Sequence, residues 1–597
     1  MPEVRIRSRE TGLIEANAVV AQEVHSDRHG VRALGPRFTP FQIFSLLVGF
    51  GTAALILYPF LLVLVRLFWV DGSFNIEPFR NVLQLPNLGQ LIFNTFTLVI
   101  TGGGIALIVG FVLAWLNERT DARIGALSDI LPLLPFVMPV IAATAGWVII
   151  GAPRAGYFNY YIRAVLDLVG IHLKQGPFDI FTWYGLIFVY ALYLIPYPYL
   201  LISAGLRNLD PSLEEQARVC GAGLWKTLRK VTLPNVWPSI AGSALIVATI
   251  GFAMISVPIL IGTGAGIQVI STRIVRLLNF TYPAKMAEAI GLSLIVLIVL
   301  IGIWRLQARL IKGGRFATIG GRAARGRRIE LGRWRWVARS VTFGYVFFAL
   351  IAPLYGLLIT SLNGFWTPKT RWGELTLEHF RTVLWLDHKT RESLFNSVYL
   401  GLIGATIGMI IAATISSYVQ RSTGKVSVFI DGVAKLPAAV SGLILAIGFI
   451  LAFAGPPFRL HGTMLILLLA FLATHMPSGS IAADGAASQV GHSLMEASYV
   501  SGASESRTFW KINMPLMLPG LVAGWSLLFV RYAGDFQASA LLSGTTNQTA
   551  GKKIIEIYEM GSFAYLAALA MGLTAITGTV IAVVFALTRK RSSISAL

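Results

Sequence analysis

The sequence predicts an all-α membrane protein with about twelve transmembrane helices, arranged as two parallel six-helix repeats that form a pseudo-dimer. Three observations predict this fold class. The 597 residues are 55% hydrophobic and only 13% charged, with a mean hydropathy of +0.69, whereas soluble proteins carry roughly 25% charged residues. Twelve apolar runs are long enough to cross a bilayer. The two halves of the chain also repeat each other in order.

A helix needs about 20 apolar residues to cross the bilayer core. In the first half the predicted spans are 42–70, 91–117, 128–151, 180–206, 236–262 and 287–311. In the second half they are 340–362, 393–419, 429–454, 462–487, 517–543 and 562–588. The continuity of these runs favours helices over a β-barrel.

The spans define four predicted regions of the chain. They are an N-terminal tail at 1–40, a first transmembrane domain at 41–311, a basic linker at 312–339 and a second transmembrane domain at 340–590. The tail is polar and lacks the short apolar run of a signal peptide.

The charge of the chain is strongly basic, with a net charge of +21 and a pI near 10.2. The basic residues lie in short segments beside the apolar runs, as expected for cytoplasmic loops near anionic lipid. We therefore expect a lipid bilayer, and not nucleic acid, as the partner of this charge. Cys220 is the single cysteine, which excludes an intramolecular disulfide, and no Cys/His spacing typical of a zinc site is present.

Lysine and arginine also predict the orientation. Arg305 to Arg339 holds eleven basic residues and one acidic residue, and the C-terminal tail begins at Arg589. With twelve crossings and both termini in the cytoplasm, these regions and the segment after the fourth span all fall on the cytoplasmic side, as the positive-inside rule requires. An alternative interpretation, in which the linker binds nucleic acid or a protein partner, stays open.

The internal repeat is collinear. The stretch IEPFRNVL at 76–83 matches LEHFRTVL at 377–384, and in the third span Asp129, Leu134-Pro135 and Gly146 match Asp431, Leu436-Pro437 and Gly448. Ile195-Pro196 then matches Met476-Pro477 at a smaller offset, because the segment 151–179 is longer than its counterpart 455–462. Since each half has six spans, the second half enters the membrane in the same orientation as the first, with a path expected between the halves.

Two mostly polar segments lie between the fourth and fifth spans of each half. They read EEQARVCGAGLWKTLRKVTLP at 214–234 and MEASYVSGASESRTFWKINMP at 495–515. Each has a Glu, a Gly six residues later, an aliphatic residue ten after the Gly and then a Pro. We expect a helix, a tight bend at Gly221, and a second helix that ends at Pro234. The plainer interpretation is a pair of amphipathic connectors, but identical spacing in both copies argues against it.

This spacing resembles the cytoplasmic signature of permease subunits of binding-protein-dependent ABC importers. The fused two-unit form resembles the permeases of ferric iron importers and also those of thiamine importers. In that family the loop docks in a groove of the ATPase subunit. The resemblance implies an ATPase-coupling set of Glu215, Ala217, Gly221 and Pro234 in the first half, and of Glu496, Ala497, Gly502 and Pro515 in the second. Gln216 and Ser498 depart from the usual small residues of the motif.

The resemblance also implies the partners and the location. They are two copies of an ABC ATPase and a periplasmic substrate-binding protein, acting with a multi-pass protein of the bacterial inner membrane whose two termini are cytoplasmic. The chain itself is expected to bind no cofactor or metal and to catalyse no reaction, with ATP used by the partner. Its nearest approach to a phosphate-binding loop, Gly544–Lys553, has Thr546 where the first Gly is needed and Lys553 where Ser or Thr is needed.

A charged pair lies in the eleventh span. Arg531 and Asp535 are four residues apart, so they are expected to pair on one helix face. Charges inside a span are costly and usually face a water path or the protein interior. Both residues are therefore candidates for the translocation path, the alternative being a structural ion pair.

The substrate is less determined than the protein class. The stretch DFQASALLSG at 535–544 is similar to the ferric iron branch, which favours ferric iron, while thiamine, polyamine and phosphonate remain open. A secondary transporter driven by an ion gradient is the alternative of another class. It predicts acidic residues inside the membrane in both halves and discontinuous helices, and it does not explain two identical loops.

Overall fold

The computed structural model describes residues 39–312 and 328–594, apart from 71–72, 75–76, 126, 280, 284, 423, 441, 489 and 491. The predicted N-terminal tail, except for its last two residues, and most of the predicted basic linker lie outside the described residues. The architecture below therefore concerns the two membrane-spanning halves and the segments that connect their helices.

The described residues contain nine helices long and apolar enough to cross a membrane, and three further helix pairs that each pass the same test together. In the first half these are α1 Pro40–Arg66, α2 Leu88–Arg119, α3 Leu127–Val137 with Val140–Gly151, α4 Trp183–Leu194 with Pro196–Asn208, α5 Leu224–Ala253 and α6 Met286–Ile303. In the second half they are α7 Trp334–Leu362, α8 His388–Arg421, α9 Lys425–Ala438 with Gly442–Ala454, α10 Met464–Ala487, α11 Glu505–Leu542 and α12 Phe563–Ala586. The all-α prediction is confirmed, and the count reaches twelve when each pair is one span.

The three pairs are sharply bent. The bend is 84° in α3, 43° in α4 and 102° in α9. In α4 the second segment begins at Pro196, which has no N–H to continue the hydrogen bonding of the first. In α3 and α9 a short 3-10 helix precedes the bend, at Leu131–Val137 and Leu436–Ala439, and each of these contains the Leu-Pro that the repeat analysis aligned.

Shorter elements connect the spans. The helices are Glu77–Leu83, Tyr157–Leu168, Pro211–Val219, Ile270–Asn279, Glu378–Arg381, His492–Val500 and Ala550–Glu559, with a 3-10 turn at Trp372–Glu374 and a π turn at Thr382–Leu386. Two strands, Trp69–Val70 and Ser73–Phe74, pair antiparallel as a small hairpin after α1.

Each half is built around the same three helices. In the first half α2, α4 and α5 pack on one another, and in the second half α8, α10 and α11 do the same. The large side chains buried here include Tyr190 and Tyr199 in the first half and Phe471 and Phe529 in the second. Because lipid is as apolar as these side chains, close packing and not hydrophobic burial must hold the helices together.

The first helix of each half crosses to the other half. Helix α1 packs along α8 and α9, and α7 packs along α3 as well as along its own α12. A Cβ atom placed on Gly146 of α3 would lie 2.5 Å from the carbonyl oxygen of Pro353 in α7, and one on Gly448 of α9 would lie 2.6 Å from that of Pro59 in α1. The two halves therefore interlock through a matched pair of glycine–backbone contacts.

We predict that Gly146→Ala and Gly448→Ala each weaken the packing between the halves. The added methyl group meets backbone atoms, which cannot move aside as a flexible side chain can, so each substitution should cost about 1–3 kcal/mol of stability. Gly51→Ala in α1 is the matched control, because no atom lies within 4 Å of its Cβ position. Thermal unfolding of the purified protein checks this, and equal melting temperatures for all three variants would contradict it.

Candidate functional site

The first of the two repeated loops, called loop A here, comprises residues 211–234. Its helix Pro211–Val219 begins after Asp210, whose carboxylate accepts a hydrogen bond from the Ser212 N–H at 2.9 Å. The turn that ends this helix is at Gly221, which has a φ of +80°. The N–H of Ala222 donates to the Ala217 carbonyl and the N–H of Gly221 to the Arg218 carbonyl, both at 2.9 Å. This is the Schellman arrangement that ends helices at a glycine.

Loop B, residues 492–515, closes in the same way. Gly502 has a φ of +77°. The N–H of Ala503 donates to the Ser498 carbonyl at 3.1 Å, and the N–H of Gly502 donates to the Tyr499 carbonyl at 2.9 Å. The bend expected at Gly221 is present in both loops, and in both it requires the left-handed backbone region that glycine enters at no steric cost.

The helix after the bend does not end at the proline, contrary to the expectation for Pro234. It starts at Leu224 in loop A and at Glu505 in loop B, and it forms the first part of α5 and of α11, respectively. A π turn precedes each proline, at Leu228–Thr232 and Phe509–Asn513. In this turn the N–H of Leu233 bonds to the Leu228 carbonyl, five residues back. The wider turn accommodates a proline, which has no N–H and clashes with the carbonyl four residues earlier in a regular helix.

Both loops present apolar side chains at their surface. Val219 of loop A and Val500 of loop B occupy equivalent positions beside the bend, and each is 89% exposed. Trp225 and Trp510, on the helices that follow, are 74% and 56% exposed. In loop A, Trp225 lies beside Lys226, Arg229 and Lys230 in one open depression. Exposed apolar groups of this kind, rimmed by charge, are typical of a protein interaction surface.

The predicted coupling residues lie on these two loops with differing exposure. Glu215 and Ala217 are half-buried, and Gly221 and Pro234 are exposed. In loop B all four members, Glu496, Ala497, Gly502 and Pro515, are exposed. The structure thus places both sets at the surface of equivalent turns, and their role in coupling remains a prediction.

Sequence reasoning missed the buried carboxylate of loop A, which belongs to Glu214. Glu214 is 4% exposed, and its Oε1 accepts a hydrogen bond from the Thr232 hydroxyl at 2.6 Å. Its Oε2 lies 3.3 Å from Nε of Arg119, the last residue of α2. This ion pair ties loop A to the end of α2. Alignment of the repeats offered a signal, because the residue at the equivalent position of loop B is Met495.

The start of α1 contacts loop B. The Thr39 hydroxyl and the Gln42 side-chain amide both donate to the carboxylate of Glu505, the latter at 3.0 Å. The rings of Phe41 and Phe509 lie 4.9 Å apart. Since α1 belongs to the first half of the sequence and loop B to the second, this contact adds to the interlocking of the halves.

Breaks in the helices meet between the halves. Helix α11 is interrupted around Gly534, where a Cβ atom would lie 2.6 Å from Pro139 at the bend of α3. The Gln537 side-chain amide donates to the Ala253 carbonyl, at the end of α5, at 2.6 Å. Arg531 donates to the hydroxyl of Tyr197 in α4 and lies over its ring. Non-helical backbone within membrane spans is tolerated only when it is buried in protein or lines a water-filled cavity.

The prediction that Arg531 pairs with Asp535 is wrong. The Asp535 carboxylate lies past the break of α11, where its Oδ1 accepts hydrogen bonds from the N–H groups of Ala538 and Ser539 at 3.0 and 3.2 Å. Its Oδ2 lies 3.2 Å from Nε2 of His475. The i, i+4 geometry of a continuous helix is lost at the break, so Asp535 caps the next helical segment while Arg531 turns to Tyr197 of the other half. In the part of the chain that the structure describes, no three His, Cys, Asp or Glu side chains are grouped to hold a metal ion.

We predict that the bend in each loop depends on its glycine. Gly221→Ala and Gly502→Ala should each cost about 1–2 kcal/mol locally, because an L-residue is strained in the left-handed region. The space around each Cβ position is open, so the cost is conformational and not steric. Gly→Asn at the same positions is the control and should cost less, since asparagine tolerates this region. Hydrogen exchange across the loops checks this, and equal exchange in the Ala and Asn variants would contradict it.

Comparisons with known proteins agree with the architecture. The family model described as "Binding-protein-dependent transport system inner membrane component" matches twice, at residues 102–312 and 404–590. The ferric transport system permease protein FbpB of Actinobacillus pleuropneumoniae is 24% identical over 85% of this chain and 72% of its own length. The Fe(3+)-transport system permease protein FbpB 2 of Haemophilus influenzae is 22% identical over 89% of this chain and 95% of its own.

Two further proteins match less than half of the chain. The sulfate transport system permease protein CysT of Escherichia coli is 30% identical over 34% of this chain and 70% of its own length. One chain of a bacterial ABC transporter involved in the import of the acidic polysaccharide alginate covers 46% of this chain and 96% of itself, at 18% identity and a TM-score of 0.37. The two family matches decide the assignment: the chain belongs to the binding-protein-dependent transport system inner membrane components, and it is a multi-pass ABC importer permease with two family units fused in one polypeptide.

Proposed function

We propose that this permease imports ferric iron, delivered by a periplasmic binding protein and driven by ATP hydrolysis in a separate subunit. The observation that supports iron is the extent of the match to the ferric permeases. These relatives align with 84–89% of the chain, and so with both halves together. The sulfate permease aligns with only 34% of the chain. Thiamine, polyamine and phosphonate are the other substrates to be tested.

The energy enters, in this proposal, through loops A and B. Each presents the same glycine turn with an exposed valine beside it, and each is the start of a helix that continues into the membrane core of its half. A partner that binds the turn and moves can therefore displace α5 or α11 with it. We propose two copies of the ATPase, one on each loop, with both loops, both termini and the basic linker in the cytoplasm, and domain boundaries at 41–311 and 340–590.

The substrate path, in this proposal, runs between the halves where the broken helices meet. The Arg531–Tyr197 contact bridges α11 and α4 at this place, so movement of one half against the other must break or reshape it. Asp535 acts beside it, by holding the start of the next segment of α11 and the ring of His475. The equivalent position in the first half is Met254, so the path is asymmetric in charge.

A secondary transporter driven by an ion gradient also predicts discontinuous helices, which the bent pairs provide. It does not account for two surface turns of identical geometry. Dependence of uptake on the ATPase subunit separates the two classes, since a secondary transporter works without one.

Cys220 offers a direct test of docking at loop A. It is exposed and lies next to Gly221. We predict that a maleimide reagent labels Cys220 in the purified permease and that the bound ATPase protects it. The control moves the single thiol to the equivalent place in loop B, as Cys220→Ser combined with Ser501→Cys, which should be protected equally. Full labelling at both positions in the assembled complex would contradict docking at the loops.

Uptake of radiolabelled ferric iron tests the substrate. Cells that lack this permease should lose iron uptake and keep thiamine uptake, and the intact chain should restore it. Gly221→Arg should restore little or none, because the bulky charge disrupts the coupling turn. Arg531→Gln should lower uptake several-fold while ATPase protection of Cys220 stays intact, which separates a path defect from a failure of assembly. Normal iron uptake without the permease would overturn the iron assignment and leave the family assignment in place.

A further inference from the structure

The end of α8 carries an arginine whose terminal guanidinium nitrogens are buried and lack the carboxylate partner that its first-half counterpart has. Arg421 is the last residue of α8, as Arg119 is the last residue of α2. The Nη1 and Nη2 atoms of Arg421 are both buried, and among the described residues neither has a hydrogen-bond partner. Its guanidinium lies 5.7 Å from the centre of the Phe41 ring, which contacts one face and supplies no acceptor.

The first half shows what such an arginine requires. Nη2 of Arg119 donates to the carbonyls of Leu206 and Leu209, and Nε lies 3.3 Å from the Glu214 carboxylate. In the second half the residue at the position of Glu214 is Met495, and the residue at the position of Thr232 is Asn513. The carboxylate has therefore been replaced by a thioether. Both arginines sit at a helix C-terminus, where the helix dipole favours a cation, so that effect does not explain the difference between them.

A cavity lies where the missing carboxylate would be. It is lined by Ser417, Gln420, Arg421, Ala487, Val490, Met495, Asn513 and Met517. Translated by the repeat offsets, Arg421, Met495 and Asn513 correspond to Arg119, Glu214 and Thr232, the three members of the first-half network. The cavity has room for about one water-sized body, so among anions a monatomic one such as chloride is nearest to it in size.

The other polar atoms of the cavity also lack partners. The Ser417 hydroxyl and the Asn513 Oδ1 are buried without a hydrogen bond among the described residues. The Asn513 amide nitrogen donates only to the Met495 sulfur, at 3.5 Å, a weak acceptor. Buried polar groups are almost always satisfied, so several unsatisfied ones around one cavity favour a polar or charged occupant.

We propose that this cavity binds a monatomic monovalent anion, chloride, which takes the place that the Glu214 carboxylate holds in the first half. Arg421 supplies the charge and two N–H groups, and Ser417 supplies a hydroxyl. A water molecule could accept hydrogen bonds from the arginine but could not balance its charge, and burying an unbalanced charge is costly. The bound anion links loop B to Arg421 at the end of α8, as the Glu214 carboxylate links loop A to Arg119 at the end of α2.

The test is a comparison of anion response between the wild-type chain and Met495→Glu. The full-length permease is purified without its ATPase, and its melting temperature is measured as chloride replaces gluconate, which is too large for the cavity, at constant ionic strength. The wild-type melting temperature should rise by about 1–3 °C and saturate. Met495→Glu supplies the anion internally, so it should be at least as stable as the wild type in gluconate and should show no response.

Two further variants exclude simpler explanations. Arg421→Gln should lose the response, because the charge that attracts the anion is gone. Leu494→Glu adds the same charge on the same helix at a half-exposed neighbour outside the cavity, and should keep the wild-type response. The proposal is overturned if the wild type does not respond in the absence of the ATPase, if Met495→Glu responds as the wild type does, or if Met495→Glu is less stable at every anion concentration.

Discussion

The backbone must satisfy its own hydrogen bonds inside a membrane, because lipid offers neither donors nor acceptors. This constraint makes the spans helical, and it also decides where they can stop. The bend of α3 at Pro139, the end of α5 at Ala253 and the break of α11 at Gly534 all lie between the two halves, where side chains and backbone of the opposite half cover them. The broken helices and the interface between the halves are thus one feature, and a path through the protein has its natural place there.

The two halves share a framework but differ in chemistry. The glycine turns of loops A and B agree in backbone angle, in hydrogen bonds and in the exposed valine beside them. The charged groups behind this framework do not agree. Where the first half has Glu214 the second half has Met495, and where the first half has Met254 the second half has Asp535. A fused chain permits such divergence, because each half can specialise without changing the other, whereas two copies of one subunit would carry every substitution twice.

Sequence alone was sufficient for the framework and insufficient for the side-chain partners. Apolar runs gave the spans, and the repeat gave their order, because length and periodicity are local properties. The glycine of each loop was identified correctly, because a left-handed backbone turn strongly favours glycine. The pairing of Arg531 with Asp535 failed because it assumed an unbroken helix, whereas α11 breaks at Gly534, between the two residues. Tyr197 and Thr39 were missed as partners because their contacts span more than 300 residues of sequence.

The central claim is that one chain carries two equivalent docking loops. Native mass spectrometry of the complex purified from membranes measures this directly, by counting ATPase subunits for each permease chain. The account predicts two ATPase subunits for one permease chain, and one subunit when either loop is disabled by an arginine at Gly221 or Gly502. A single ATPase subunit bound to the intact chain would contradict the equivalence of the loops.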